Sequence, residues 1–416
     1  MTDLADFNLF DGKTQQCPFP FYEAMRSSQP VFQVAGMPIY LVTRYDDVVT
    51  CARNTKVFSN RFGNTGTNAE GPVAQRLAEI GKQGYPVVAT MLTADPPDHT
   101  RYRSTVNKAF TPSRVAALRP TMVAVTEALI DGFIDNGSVE VVKQFAVGLP
   151  VQVIADALGV PRDRQEDFKR WSDDSIATIG AMPSDERRIE AALGIVEFQH
   201  YFAAHLEERR ARPCGDLLSD LVNATIDNDA GDAQLLTTAE LLSILQQVLV
   251  AGNETTTKLI TESLRLLAEH PAQWALLRDE PSRIADVVEE ALRLSTPTQG
   301  MFRLVKEDVE VAGTVIPKGS MAVLMFCSAN RDESLFADPD AFVPGRANLK
   351  RNVAFGSGIH FCLGAALARA EAIVALECLV RRVESISLAH GNTLEYEPSF
   401  ILRGLKSLTL NFTRGH

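Results

Sequence analysis
The run Phe355-Gly356-Ser357-Gly358-Ile359-His360-Phe361-Cys362-Leu363-Gly364-Ala365 decides how this chain is read. It gathers three glycines, a histidine and a cysteine at the start of a helix-forming stretch that extends from about Leu363 to Val383. Backbone N–H groups and the positive end of the helix dipole favour an anion at such a start, so Cys362 should lose its proton more readily than a free thiol. Taken alone, the stretch also suits a buried structural cysteine in a glycine-rich turn, and that blander reading is the commoner one.

The surrounding chain of 416 residues is long enough to bury a large core. No linker, low-complexity tract or internal repeat divides it, so one large domain, residues 1–416, is expected. Residues 1–13 are polar and acidic, without the cationic start or apolar core of a signal peptide or membrane anchor, which points to a cytoplasmic protein. Six cysteines are scattered with no C-x-x-C pair, which argues against a disulfide framework or a zinc site. A formal net charge of −11 disfavours nucleic acid as a partner.

Hydrophobic periodicity predicts helices with a small β region. Val31 to Val34 and Ile39 to Val42 read as a hairpin about Ala35-Gly36-Met37. Residues 59–93 are irregular apart from a helical Val73 to Ile80, and a loop of that length is more often functional than idle. Thr93 to Asp98 opens a helix reaching about Phe110, with His99 and Arg103 on one face. From 113 to 212 the pattern is nearly all helical, broken at Pro150, Gly159 to Pro161 and Gly180 to Pro183.

The longest helix runs from about Thr238 to His270, begun by a Thr237/Glu240 capping box and ended by Pro271. At ~1.5 Å per residue it spans about 50 Å. Leu241 to Val250 is apolar nearly all round, so this is a central, buried helix. The apolar run then gives way to Ala251-Gly252-Asn253-Glu254-Thr255-Thr256-Thr257. Glycine costs about 1 kcal/mol there relative to alanine, β-branched residues are poor helix formers, and a carboxylate is costly to bury. Local rules broken at a core position point to a site. Two helices fill 272–294. Strands are expected at Gly300 to Val305, Val309 to Val311, Thr314 to Ile316 and Met321 to Met325, joined as hairpins by turns at Ala312-Gly313 and Pro317-Lys318-Gly319. The tail, Ser387 to Phe412, reads as short strands.

With those stretches placed, Phe355, Gly358, His360, Cys362 and Gly364 resemble the haem-binding F-x-x-G-x-[HR]-x-C-x-G signature of the cytochrome P450 superfamily. In the order that family uses, the chain also carries A-G-x-[DE]-T at Ala251 to Thr255, E-x-x-R at Glu290 and Arg293, and F-x-P-x-R at Phe342, Pro344 and Arg346. The resemblance implies a single, triangular, mainly α haem–thiolate monooxygenase fold with a small β region and a long central helix. It is most like the soluble bacterial members, with one haem b (iron protoporphyrin IX) and no fused reductase.

The same resemblance implies roles. Cys362 is the axial thiolate, whose electron donation to iron favours O–O cleavage. Gly358 and Gly364 let the backbone approach the porphyrin and aim N–H groups at sulfur, and Phe355 packs beside the ligand. His99, Arg103, Arg303 and His360 bind the propionates. Glu254 and Thr255 form an acid–alcohol pair that delivers protons to bound oxygen, and Gly252 clears room for dioxygen and substrate. Glu290, Arg293 and Arg346 form a structural ion network.

Expected pocket walls in the first half of the chain are Val88, Leu92 and Ile179, followed by Val248, Leu249 and Ala251 on the central helix. Thr298, Gln299, Met301, Phe302 and Ile401 complete them, with Thr298 and Gln299 as the hydrogen-bonding exceptions. Such a lining suits a medium-sized hydrophobic substrate undergoing hydroxylation, with dealkylation or epoxidation also open. Electrons are expected from NAD(P)H through a reductase and a small acidic ferredoxin, docked on a basic patch of Arg101, Lys108, Arg114, Lys350, Arg351 and Arg369. A monomer is expected. Three alternatives stand beside this reading. A peroxide-driven peroxygenase would not need Glu254-Thr255, and a non-catalytic haem–thiolate sensor would not turn over. A haem-free cysteine enzyme would need His360 and Cys362 as base and nucleophile, and residues two apart on a turn seldom align so.

Overall fold
The structure is a computed structural model that describes residues 3–61, 71–179, 181, 183–227 and 233–415. Helices dominate it and the sheets are small. Among the described residues no helix is long and apolar enough to cross a membrane. The chain gathers into two compact units: residues of 1–59, 118–150 and 255–416 form the first, and residues of 60–117 and 151–254 the second.

The first unit is built on a five-stranded sheet in the order Val31–Gln33, Ile39–Val42, Met321–Leu324, Met301–Val305, Phe58–Ser59. The first two strands make the expected hairpin, with Gly36 at φ 72° in its turn. Met321–Leu324 departs from expectation. Instead of closing a hairpin with Thr314–Ile316, it lies parallel to Ile39–Val42 and antiparallel to Met301–Val305. Its Ala322, Val323 and Leu324 are all 0% exposed, so the strand needs cover on both faces, which the separate ribbon of Val309–Val311 and Thr314–Ile316 does not offer.

A second sheet pairs Val383–Leu388 with Thr409–Arg414, and the latter with Ser138–Glu140, all antiparallel. The strand at 138–140 interrupts a stretch read as helical; Gly137, at φ 70°, turns the chain into it. Both strands of the first pair draw on the expected tail, Ser387 to Phe412, which also forms single bridges at Tyr396, Leu402 and Leu405. Pro150 does not break its helix either. It is the third residue of Gly148–Ala157, inside the first turn, where the missing N–H has no intrahelical partner to lose.

The second unit is helical apart from the short pair Thr225–Asp227 and Ala233–Leu235. Helices Gln165–Ile176 and Asp185–Ala211 pack through Phe168, Trp171, Phe198 and Phe202, all 0% exposed, with Phe198 and Phe202 centroids 4.8 Å apart. Gly180 and Met182, part of the break expected between them, lie outside the described residues, as do 62–70 of the expected loop.

The central helix, Thr238–Glu269, starts as its sequence requires. Thr237 Oγ1 accepts from the Glu240 amide at 3.3 Å, and Glu240 Oε2 accepts from the Thr237 amide at 2.7 Å. The helix runs unbroken through residues 251–257, and one of the four crossings between the two units falls inside it, between Glu254 and Thr255.

Candidate active site
Glycine shapes the loop that carries Cys362. Gly356 and Gly358 have φ of 73° and 74°, a region that residues with a Cβ rarely adopt, and a 3-10 turn, Gly358–His360, follows. The Cys362 amide donates to the Phe355 carbonyl at 2.9 Å, which closes the loop and holds the half-buried cysteine just ahead of helix Ala365–Arg382. Gly364 is that helix's N-cap, and a Cβ on it would stand in open space. Gly358 has another neighbour: a Cβ there would lie 2.9 Å from the Ala52 carbonyl oxygen, so its bareness admits helix Tyr45–Arg53. Phe355 carries the Arg369 guanidinium 4.4 Å over its ring. His360 is half-buried in the turn, and Arg303, 3% exposed, donates to the Phe302 carbonyl at 2.7 Å.

Glu254 meets a partner that the sequence reading lacks. Lys169 Nζ lies 3.2 Å from its Oε1 and also pairs with Asp173, one turn further along Gln165–Ile176. Side-chain exposure falls from 45% at Asp173 through 28% at Lys169 to 13% at Glu254, so the three charges step inward from solvent. Burial pulls the Lys169 ammonium down, but the Glu254 and Asp173 carboxylates outweigh it and hold it above its ordinary value. Burial likewise raises Asp173 against the pull of Lys169. On sequence, a Lys and an Asp at i,i+4 read as a solvated helix face. Two residues before Glu254, the nearest atom to a Cβ on Gly252 would be Ile154 Cγ1 at 3.9 Å, so the protein leaves that position clear. Thr255 is half-buried.

A second carboxylate was also missed. Glu371, on Ala365–Arg382, is 2% exposed and pushed up to about 8 by burial, opposed by a hydrogen bond from Thr256. Its signal is positional: it stands in the buried stripe of Leu367, Val374, Ala375 and Cys378, where a carboxylate is out of place.

His99 and Arg103 share helix Asp98–Asn107 as expected, with His99 2% exposed. Burial, then Arg103, hold its imidazole below the usual range against Asp95. Glu290, Arg293 and Arg346 come together in the first unit. Arg293 grips Glu290 with two bonds of 2.8 Å and donates to the carbonyls of Asn330, Pro339 and Ala341, while Arg346 Nε reaches Glu290 Oε1 at 2.9 Å.

Thr298 to Phe302 and Ile401 also meet: Thr298 bridges Leu402, and the Gln299 amide donates to the Ile401 carbonyl at 2.7 Å. Gln299 is 2% exposed, and its side-chain nitrogen is engaged within the chain. Its side chain is turned back to donate to the Ser295 and Thr296 carbonyls at 3.0 and 2.6 Å, satisfying the end of helix Ile284–Ser295 where Thr296 turns left-handed at φ 42°. Met301 and Phe302 are half-buried and Ile401 is buried. In the second unit Val248 and Leu249 are buried and Val88 half-buried, whereas Ala251, Leu92 and Ile179 are exposed. Of the cations expected to form a basic patch, Arg101 pairs with Asp98, Arg114 with Asp220 and Arg369 with Glu289; Lys108, Lys350 and Arg351 are exposed.

Among the described residues no three His, Cys, Asp or Glu side chains stand together as a metal cage. Cys362 offers a thiolate donor. An iron that brings four in-plane porphyrin nitrogens needs only one from the protein, so the donor chemistry fits haem. A family model described as Cytochrome P450 matches residues 182–404. Cytochrome P450 107B1 of Saccharopolyspora erythraea is 35% identical over 98% of each chain. The vitamin D(3) 25-hydroxylase of Pseudonocardia autotrophica is 35% identical over 98% of this chain and 96% of its own. Among solved structures, CYP109Q5 from Chondromyces apiculatus matches with a TM-score of 0.86 at 36% identity, covering 99% of this chain and 100% of that one. With relatives matched from end to end and the same mainly helical fold, the chain belongs to the cytochrome P450 family of haem–thiolate monooxygenases.

Proposed function
We propose that the protein inserts one atom of dioxygen into a medium-sized hydrophobic substrate, and that Cys362 would hold haem b through its thiolate. The observation that carries this reading is the Cys362 loop, a half-buried cysteine tied by its amide to Phe355 directly ahead of a helix. Haem, when bound, supplies the centre at which dioxygen is held and activated. The chain supplies the rest. His99, Arg103, Arg303 and His360 hold the propionates. Phe355 and Gly364 would lie beside the Cys362 thiolate, Gly252 leaves its own position clear, and the Thr255 hydroxyl would offer a hydrogen bond on the oxygen side. Glu254 passes a proton inward, and Lys169 ties its carboxylate to Asp173, so protons enter the cluster from the exposed Asp173 end.

The expected walls are mostly apolar, so the substrate is positioned mainly by shape. A terpenoid or steroid-like molecule suits such walls, and the resemblance to a vitamin D(3) 25-hydroxylase supports that class. Both units serve one catalytic domain, a cytoplasmic monomer that receives electrons from NAD(P)H through a reductase and a small acidic ferredoxin. The test is turnover with those partners under isotopically labelled dioxygen and a panel of steroids and terpenoids. Product carrying one labelled oxygen atom is expected. Failure to label the product of any compound that binds would overturn the proposal.

A further inference from the structure
Residues 10–19, with the short helix Gly12–Gln16 at their centre, are stapled to the turn at 396–403 near the other end of the chain. Gln16 offers its side-chain amide to Tyr396 as a strand's peptide would. Its Oε1 accepts from the Tyr396 amide at 2.8 Å and its Nε2 donates to the Tyr396 carbonyl at 3.0 Å. Arg403, 8% exposed, reaches the Gln15 and Gln16 carbonyls with Nη1 and Nη2 at 2.7 and 2.8 Å. Those carbonyls end a helix and have no intrahelical partner, so the guanidinium fork caps them. Its Cζ stands 3.4 Å from the Tyr396 ring centroid and 5.2 Å from that of Phe19.

On its other side the same turn is laced to the residues that follow helix Ile284–Ser295. The Gln299 amide donates to the Ile401 carbonyl at 2.7 Å and the Arg403 amide to the Pro297 carbonyl at 2.9 Å, while Ser399 Oγ accepts from the Leu402 amide at 3.0 Å. Aromatic rings run the same way. Phe10 meets Phe400 edge-on with centroids 5.4 Å apart, and Phe400 meets Phe302 edge-on at 5.9 Å. Beside these contacts lies a cavity of about 10 Å³ with Thr14, Tyr22, Gln299, Ser399 and Arg403 in its wall. That is room for one water molecule in polar surroundings. Gln299 Oε1, buried and without a hydrogen-bond partner among the described residues, is an acceptor for it.

We propose that residues 10–19 are a specificity element that sets where Ile401 and Phe302 stand, with Arg403 as the positioning residue and one water in the cavity beside Gln299 completing the link. That Ile401 and Phe302 wall the substrate pocket rests on the monooxygenase reading; the mechanical link does not. Arg403 lies two residues beyond Ile401 on the same run of backbone, so a change in its grip on Gln15 and Gln16 moves Ile401 as well. Phe10 acts on Phe302 through Phe400 by packing alone. The element governs the shape of the wall rather than the chemistry of the oxidation.

The test uses the full haem-loaded chain with Arg403→Lys, which keeps the charge but not the fork, and with Gln16→Leu and Phe10→Ala as milder variants. Backbone amide exchange at Gln299 and Leu402 should rise about tenfold in Gln16→Leu, as expected for the loss of two neutral hydrogen bonds, and at least as much in Arg403→Lys. The ratio of the Kd values of 1-phenylimidazole and 4-phenylimidazole, read from the Soret band, should shift about fivefold in all three variants, somewhat less than a full methylene contact is worth in an apolar pocket. Ser385→Ala, in the other sheet of the first unit, should change neither quantity. A crystal structure should place one ordered water within hydrogen-bonding distance of Gln299 Oε1, and a cavity without one would overturn the water. Unchanged exchange at the two amides would overturn the link. Faster exchange with an unchanged Kd ratio would overturn the specificity role. A parent protein that shows no imidazole-induced Soret shift would count against the haem reading instead, and the exchange data would still decide the link.

Discussion
Glu254 and Glu371 are both inward-facing carboxylates, but their surroundings give them different chemistry. Glu254 has an ammonium 3.2 Å away and a path outward through Asp173, so it is suited to moving a proton. Glu254→Gln should lower kcat about a hundredfold while leaving substrate affinity in place, the loss expected when a positioned acid is removed. Lys169→Met should lower turnover about tenfold by cutting Glu254 from its solvent link, which is at the weak end of general-acid effects; steady-state turnover unchanged in Lys169→Met would separate the ion pair from proton delivery. Glu371 has no cation to offset its burial and is held protonated up to about pH 8. Because its folded pKa is raised, the stability it contributes is full below the ordinary carboxyl value and lost as pH rises through about 8. Thermal melting should therefore fall between about pH 5 and pH 8, and Glu371→Gln, which keeps an acceptor for Thr256 but no titrating proton, should flatten that slope. Parallel melting profiles for parent and variant would contradict the assignment.

At the scale of elements, the Glu290–Arg293–Arg346 cluster is where removing one side chain should cost most. Both Glu290 and Arg293 are 0% exposed, so Arg293→Ala leaves a buried carboxylate without its main partner and should cost about 3–5 kcal/mol in urea unfolding. Arg293→Lys should not rescue it, because one ammonium does not reproduce the forked contacts to Glu290 and the carbonyls around it. The exposed Lys406–Glu395 pair serves as the control, and Lys406→Ala should cost less than about 1 kcal/mol. What was legible in the sequence follows the same local logic. The central helix, its Thr237/Glu240 box and the Cys362 turn are specified by neighbours a few residues away, and all three form. Met321–Leu324 was mispaired because its parallel partner, Ile39–Val42, lies far back in the chain where periodicity carries no information. Ser138–Glu140 is three residues long, too short to show an alternation. Lys169 is hidden for a related reason: its place beside Glu254 depends on how two helices pack.

For the molecule as a whole, the division into two compact units leaves no mark in composition, because three of the four places where the chain crosses between them, at 117/118, 150/151 and 254/255, fall inside continuous helices rather than linkers. The formal charge of −11 likewise says little about any one surface. Of the cations expected in a basic patch, Arg101, Arg114 and Arg369 have their own carboxylates, whereas Lys108, Lys350 and Arg351 are exposed, which suits the proposed acidic electron donor. Replacing Lys350 and Arg351 by Gln should slow reduction by ferredoxin about tenfold at low salt and little at high salt, whereas Arg114→Gln should change it less. Stopped-flow reduction at two ionic strengths checks this. The most direct measurement of the central claim is the absorbance spectrum of the reduced, CO-bound protein beside that of Cys362→His. The parent should show the strongly red-shifted Soret band of a thiolate-ligated carbonyl complex, and the variant should lose it while retaining haem. A variant with the same red-shifted band, or a parent that binds no haem when haem is abundant, would contradict the assignment of Cys362 as the iron ligand.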